Sequence, residues 1–179
     1  MEHIIWQPIY WLNDMSLEGA LVTWVHIICS SIWVGGSIFI GIVLAPALKN
    51  VTSNTEERLL LMIKFGRRFN NLAIPSFMIL VGTGIYNARS FWVNPESLWQ
   101  SQYGIILLIK IILVVAIIIV YVFHVKAINK DTEQKLSMRQ MDKGQISTVR
   151  SRIMILGRTT VILSVSVLFL ASLLDSGGY

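Results

Sequence analysis

A chain of 179 residues that is 54% hydrophobic and only 14% charged, with a mean hydropathy of +0.64, is too apolar for an ordinary soluble domain. Its formal net charge of +5 would suggest an anionic partner in a soluble protein, but here the placement of the charges says more than their sum. The single cysteine, Cys29, excludes an intrachain disulfide, and nucleic acid is not expected as a partner.

Residues 1–18 contain no lysine or arginine. A cleavable leader needs a positive start and a shorter apolar run than the one that follows, so none is expected. Trp6, Tyr10 and Trp11 suit the headgroup level, which predicts an outer interfacial segment over 1–18. A four-span membrane domain is expected over 19–179.

About 20 residues of helix cross the hydrocarbon core, and four stretches are long enough. The first, 19–48, has no charged residue; the second, 70–88, lies between Arg68 and Arg89. The third, 103–125, is apolar through Phe123 except for Lys110, and the fourth, 153–174, has only Arg158 near its start. An open chain in lipid satisfies its backbone only as helix, which predicts an all-α, four-helix membrane bundle.

Lysine and arginine orient it. Lys49, Arg58, Lys64, Arg67 and Arg68 fall in the first connection. Lys126, Lys130, Lys135, Arg139, Lys143, Arg150, Arg152 and Arg158 fall in and around the last, so the two together hold thirteen of the fifteen basic residues. Both basic loops are expected in the cytoplasm and both termini outside, in a cell membrane. Trp92, Trp99 and Tyr103 add to an aromatic belt on the outer side. The 126–152 loop mixes both signs and reads as solvated helix extensions with affinity for anionic headgroups.

Each span has one face of small, polar or unusual residues, as membrane helices need in order to pack. In the first these are His26, Cys29, Trp33, Gly36 and Ile40; in the second, Ser76, Thr83 and Asn87, with Pro75, Gly82 and Gly84 nearby. The third offers Lys110, Ile117, Tyr121 and His124, and the fourth Thr159, Thr160, Ser164, Ser166 and Ser172. Packing alone accounts for the small polar residues. A titratable side chain within a membrane span is by default a functional candidate, which singles out His26 and Lys110.

At about 1.5 Å per residue, His26 lies roughly 12 Å along its helix from Glu18, and Lys110 roughly 10 Å from Tyr103. Both spans run inward, so the two residues sit at similar depth and can face one cavity in the outer half. His124 lies roughly 21 Å deeper than Lys110. It reads as an interfacial residue, and one cofactor shared by His26 and His124 is not expected. His26 as an interhelical hydrogen-bonder and Lys110 snorkelling outward are the simpler alternatives. His26 and Cys29, at i and i+3, form a soft donor pair suited to copper, to which Met1, His3 and Met15 could add outer ligands.

The run His26-Ile-Ile-Cys-Ser-Ser-Ile-Trp33-Val-Gly-Gly36 resembles the first-helix signature of the copper-resistance D (CopD) domain and of the related HemJ-type protoporphyrinogen oxidases. Phe65-Gly-Arg-Arg68 with Pro75 and Thr83-Gly84 resembles their second helix, and Tyr103-Gly104 followed by Lys110 their third. The likeness covers residues 20–125. After Gly36 the chain departs from the HemJ-type pattern, which has a basic, aromatic stretch ending in histidine where Ser37–Pro46 is apolar. Val122 stands beside Tyr121 where that pattern has a Tyr-His pair.

The HemJ-like branch implies a heme-b redox protein, with His26 as axial ligand, Lys110 as second ligand or propionate partner, and Trp33 and Tyr121 lining the cofactor. Electron exchange with a quinone, or oxidation of a porphyrin-type substrate, would be its reaction class. The CopD branch implies copper transport or copper handling through His26 and Cys29, beside an extracytoplasmic copper-binding partner. A third expectation is a non-catalytic subunit of a larger membrane complex.

Overall fold

A computed structural model describes residues 17–89, 91 and 94–176. The expected interfacial segment up to residue 16, with its Trp, Tyr, His and Met residues, lies outside the described residues, as does Trp92. The described chain is helical without strands. Four stretches are long and apolar enough to cross a membrane. They are built on α1 (Leu17–Val51), α2 (Thr55–Asn87), α3 (Gln102–Ala127) and α5 (Lys143–Asp175), with a short α4 (Lys130–Ser137) between the last two.

Alternation of the four helices puts the α1–α2 connection and the α3–α4–α5 connection at one end, here the basic end. The α2–α3 connection is at the opposite end. The most extensive packing is between α3 and α5, and α1 packs mainly on α2.

Side-chain caps set the helix starts. The Asn54 side chain accepts the Glu56 N–H at 2.9 Å, and Glu56 and Glu57 place negative charge on the positive end of α2. Asp142 and Gln145 form a reciprocal capping box that starts α5. Two of the helices therefore begin well before their apolar spans. The expected first connection is mostly the opening turns of α2, which carry Arg58, Lys64, Arg67 and Arg68, and only Thr52–Asn54 links α1 to α2.

Within α1 the backbone widens to π turns at Ser31–Gly35 and Phe39–Leu44. The second has a covalent reason. Pro46 has no N–H to donate, and just before it the Ala45 N–H reaches back five residues to the Ile40 carbonyl. The first wide turn carries Trp33 and Val34, both buried at the centre of the bundle.

Two apolar clusters hold the helices together. At the basic end Leu59, Ile63, Ile128, Leu136, Ile146 and Ile153 enclose one core, in which Ile63 is 0% exposed. An Arg67–Glu133 ion pair fastens α4 to α2 beside it. The 126–152 region is thus more than solvated extension, because Ile128, Leu136 and Ile146 turn inward among its charges. The second cluster, Trp33, Val34, Ala73 and Ile117, lies in the middle of the membrane segments. Outward faces carry Trp24, Phe39, Ile42, Met78, Ile112, Ile162 and Phe169, as a lipid-facing surface requires.

The opposite end depends on one glycine. Ser101 caps α3 by accepting the Gly104 N–H at 3.0 Å, and the helical turn Ser97–Gln100 folds back over that residue. A Cβ at position 104 would lie 2.3 Å from the Ser97 carbonyl oxygen and 2.6 Å from the Leu98 Cα, both backbone atoms that cannot rotate away. Gly104→Ala is accordingly expected to destabilise the protein by roughly 1–3 kcal/mol, the usual cost of overpacking. Thermal unfolding in detergent measures it; an unchanged midpoint would show that this turn does not clamp α3.

Candidate functional site

His26 lies on the inward stripe of α1, nearer the opposite end than the basic end. Its Nδ1 is 2.7 Å from the Thr83 hydroxyl oxygen on α2. The same hydroxyl lies 2.7 Å from the Ile79 carbonyl and 3.2 Å from the Leu80 carbonyl. When its proton goes to Ile79 it accepts from Nδ1–H, the tautomer that leaves Nε2 as a bare lone pair. A metal-ligating histidine is held in the same way, by an outer partner that sets tautomer and ring orientation.

Gly84 lies beside the ring, where a Cβ would be in ordinary van der Waals contact at 3.8 Å from the His26 Cε1. Cys29, one turn along α1, is buried and in no disulfide. Lys110 on α3 is close enough for its charge to act on His26, and no described carboxylate pairs with it. Toward the opposite end the Tyr86 hydroxyl donates to the Glu18 carboxylate at 2.9 Å, and the Arg89 guanidinium lies over the Tyr86 ring at 4.3 Å. His26, Thr83, Cys29 and Lys110 thus bring α1, α2 and α3 to one place.

Below this site a polar–aromatic layer crosses the bundle. The Trp33 indole N–H donates to the Ser164 hydroxyl at 3.0 Å, joining α1 to α5. The Tyr121 hydroxyl donates to the Asn70 side-chain carbonyl at 2.8 Å, joining α3 to α2. The two links touch: Trp33 meets Tyr121 edge-on at 4.6 Å between ring centroids and Phe77 at 4.4 Å. Trp33 and Tyr121, expected to line a cofactor, have their polar atoms engaged in this layer. They form the floor of the His26 site.

On the far side of the layer is His124, whose ring lies nearly parallel to Tyr121 with centroids 6.4 Å apart. Its Nδ1 is buried, with no hydrogen-bond partner among the described residues. Thr83 is on the face read from the sequence, but its pairing with His26 is a tertiary fact. Asn70 and Phe77 escaped the sequence reading, although 70, 73, 77 and 80 follow the same helical stripe as 83 and 84. Gly82, expected to allow close approach, faces open space.

The donor set is sparse. Among the described residues no three histidine, cysteine, aspartate or glutamate side chains converge on a metal position. Met78 in α2 is 70% exposed on the lipid-facing surface and takes no part. What the structure offers is an imidazole held by Thr83, with Cys29 one turn along the same helix and Lys110 within electrostatic reach on α3. That suits a soft monovalent ion of low coordination number better than a divalent one.

Comparison with known proteins supports the resemblance to CopD. No curated protein and no solved structure matches the chain, but a family model, copper resistance protein D, matches residues 63–174. The match starts within α2 and runs through α5, so it covers Thr83, Lys110, Tyr121 and His124 and stops short of His26, Cys29 and Trp33. With more than half of its length matched, this four-helix membrane protein belongs to the copper resistance protein D (CopD) family.

Proposed function

We propose that the protein handles copper within the membrane, taking Cu(I) as cargo at His26 Nε2 in the outer half of the bundle. The observation that carries this is the Thr83–His26 hydrogen bond, which holds the imidazole at Nδ1 and leaves Nε2 outside that contact. Cys29 supplies the second soft donor as thiolate, releasing its proton when the metal binds. Lys110 in its neutral form adds an amine donor. In its charged form it opposes a long residence of the cation and favours release. In this reading both termini and the His26 site face outside and the basic end faces the cytoplasm. Residues 1–18 cap the four-span domain of 19–179, and an extracytoplasmic copper-binding partner delivers the ion.

Heme b is the second reading, supported by the same free Nε2 and by a lysine without a carboxylate partner. His26 would hold such a group axially and Lys110 would meet a propionate. Its chemistry would be one-electron transfer, with a quinone or porphyrin-type substrate as partner. Against it, Trp33, Phe77 and Tyr121 fill the bundle immediately inward of the site.

The test is an anaerobic Cu(I) titration of the detergent-purified protein against a chromophoric chelator, with an absorption spectrum of the same sample before and after dithionite. Copper handling requires Cu(I) binding that Thr83→Val weakens by about 10- to 100-fold, the usual cost of losing a ligand's outer partner. A Soret band with sharp reduced α and β bands, together with no competition for Cu(I), would replace copper by heme. Affinity unchanged in Thr83→Val would remove the tautomer argument.

A further inference from the structure

The unused group in this molecule is His124. A buried imidazole nitrogen without a partner is uncommon and calls for an explanation, a bound ion among them. Neighbouring groups do not satisfy it. Tyr121 has given its hydroxyl proton to Asn70, and no described carboxylate pairs with a group on this face. On the α5 side Gly157 faces the ring, where a Cβ would be 3.5 Å from the His124 Cε1, so the helix backbone leaves room at this edge of the imidazole. Three residues before Gly157, on the same face of α5 and one turn toward the basic end, is Met154, half-buried in the bundle. Unlike Met78, which is 70% exposed, it is partly covered by the bundle.

We infer that His124 and Met154 form a second copper site in the inner half of the bundle, across the Trp33–Tyr121 layer from His26. This rests on the copper reading of the outer site. An imidazole and a thioether are a donor pair for Cu(I), which accepts few ligands and carries a single charge. A divalent ion fits poorly here: the nearby exposed charges, Lys126 and Arg158, are both positive, and neither is paired with a carboxylate. The molecule then has one soft site on each side of a sealed middle. Transfer between them needs the layer to open, which places Trp33 and Tyr121 at the barrier.

The experiment is the same anaerobic Cu(I) titration on the full chain, with copper X-ray absorption on the loaded samples. Wild type is expected to bind two Cu(I) ions. His124→Gln and Met154→Leu should each bind one, with the sulfur scattering contribution reduced in Met154→Leu, while His26→Ala should lose the other. Metal-free thermal unfolding of Met154→Leu should match wild type, which separates a ligand from a packing residue. Wild-type stoichiometry in either His124→Gln or Met154→Leu overturns the inner site; if His26→Ala still loses one ion, the outer reading survives that result. Loss in the inner variants with full binding in His26→Ala would leave the inner site standing and remove the outer one. A wild-type protein that binds no Cu(I) overturns both.

Discussion

His26→Ala is expected to eliminate Cu(I) binding at the outer-half site, a loss of at least about 100-fold in affinity, while leaving the helical content unchanged. The reasoning starts from the ligand count. With no third histidine, cysteine or carboxylate among the described residues to take over, removing the imidazole leaves Cys29 and Lys110 alone. A soft ion held by few donors loses most of its binding free energy with any one of them. The structural cost should be small by comparison. Interhelical hydrogen bonds in membranes contribute about 0.6 kcal/mol on average, and Thr83 keeps its bonds to Ile79 and Leu80 after the imidazole is gone. Competition titration and far-UV circular dichroism on the same preparation measure the two effects. Retained copper affinity in the variant would remove His26 from the site, whatever the spectrum of the wild type. His26→Gln is the sharper companion, because it restores a polar contact to Thr83 without restoring an imidazole donor.

Much of this arrangement is legible in the sequence, for reasons that differ from residue to residue. Lipid penalises any charge or unpaired backbone group, so the apolar runs and the need for helix follow from composition. Expense also singles out His26 and Lys110, and equal depth on two helices of the same direction places them together. The helix starts were less visible, because Asn54 and Asp142 cap their helices from within charged stretches that look like loops. The packed region around Ile63, Ile128 and Leu136 was hidden for the same reason: isolated apolar residues in a polar run have no hydropathy signal until their register is known. Partners are the hardest to read. Nothing in the spacing says that Thr83 meets His26 or that Asn70 meets Tyr121, because those contacts depend on how α1, α2 and α3 rotate against one another. His124 shows the limit most clearly. Its place near the end of a span, beside Lys126, suggests the interface, whereas the packing of Gly157 against its ring puts one nitrogen inside.

Trp33→Ala is expected to cost roughly 2–4 kcal/mol of stability in detergent, more than any other single truncation in the membrane segments. Trp33 is 2% exposed, donates to Ser164 and packs edge-on against Tyr121, so it joins the two cross-links of the central layer. In a soluble core the loss would include transfer of the ring from water. In a micelle the separated helices already face acyl chains, so that part drops out and the void and lost dispersion contacts remain. To these is added the stranded Ser164 hydroxyl, which is itself 2% exposed and has no other bond. Trp33→Phe narrows the contributions, since it keeps one aromatic ring while removing the N–H and part of the indole; it should cost roughly 1–2 kcal/mol, less than the alanine variant. Thermal or dodecyl sulfate unfolding of the two variants gives both numbers. The layer also bears on function, because it is what stands between His26 and His124. If Trp33→Ala unfolds like wild type, the central layer does not hold the bundle together. If it is destabilised as expected, the barrier between the two halves and the main tie among the four helices are the same set of side chains.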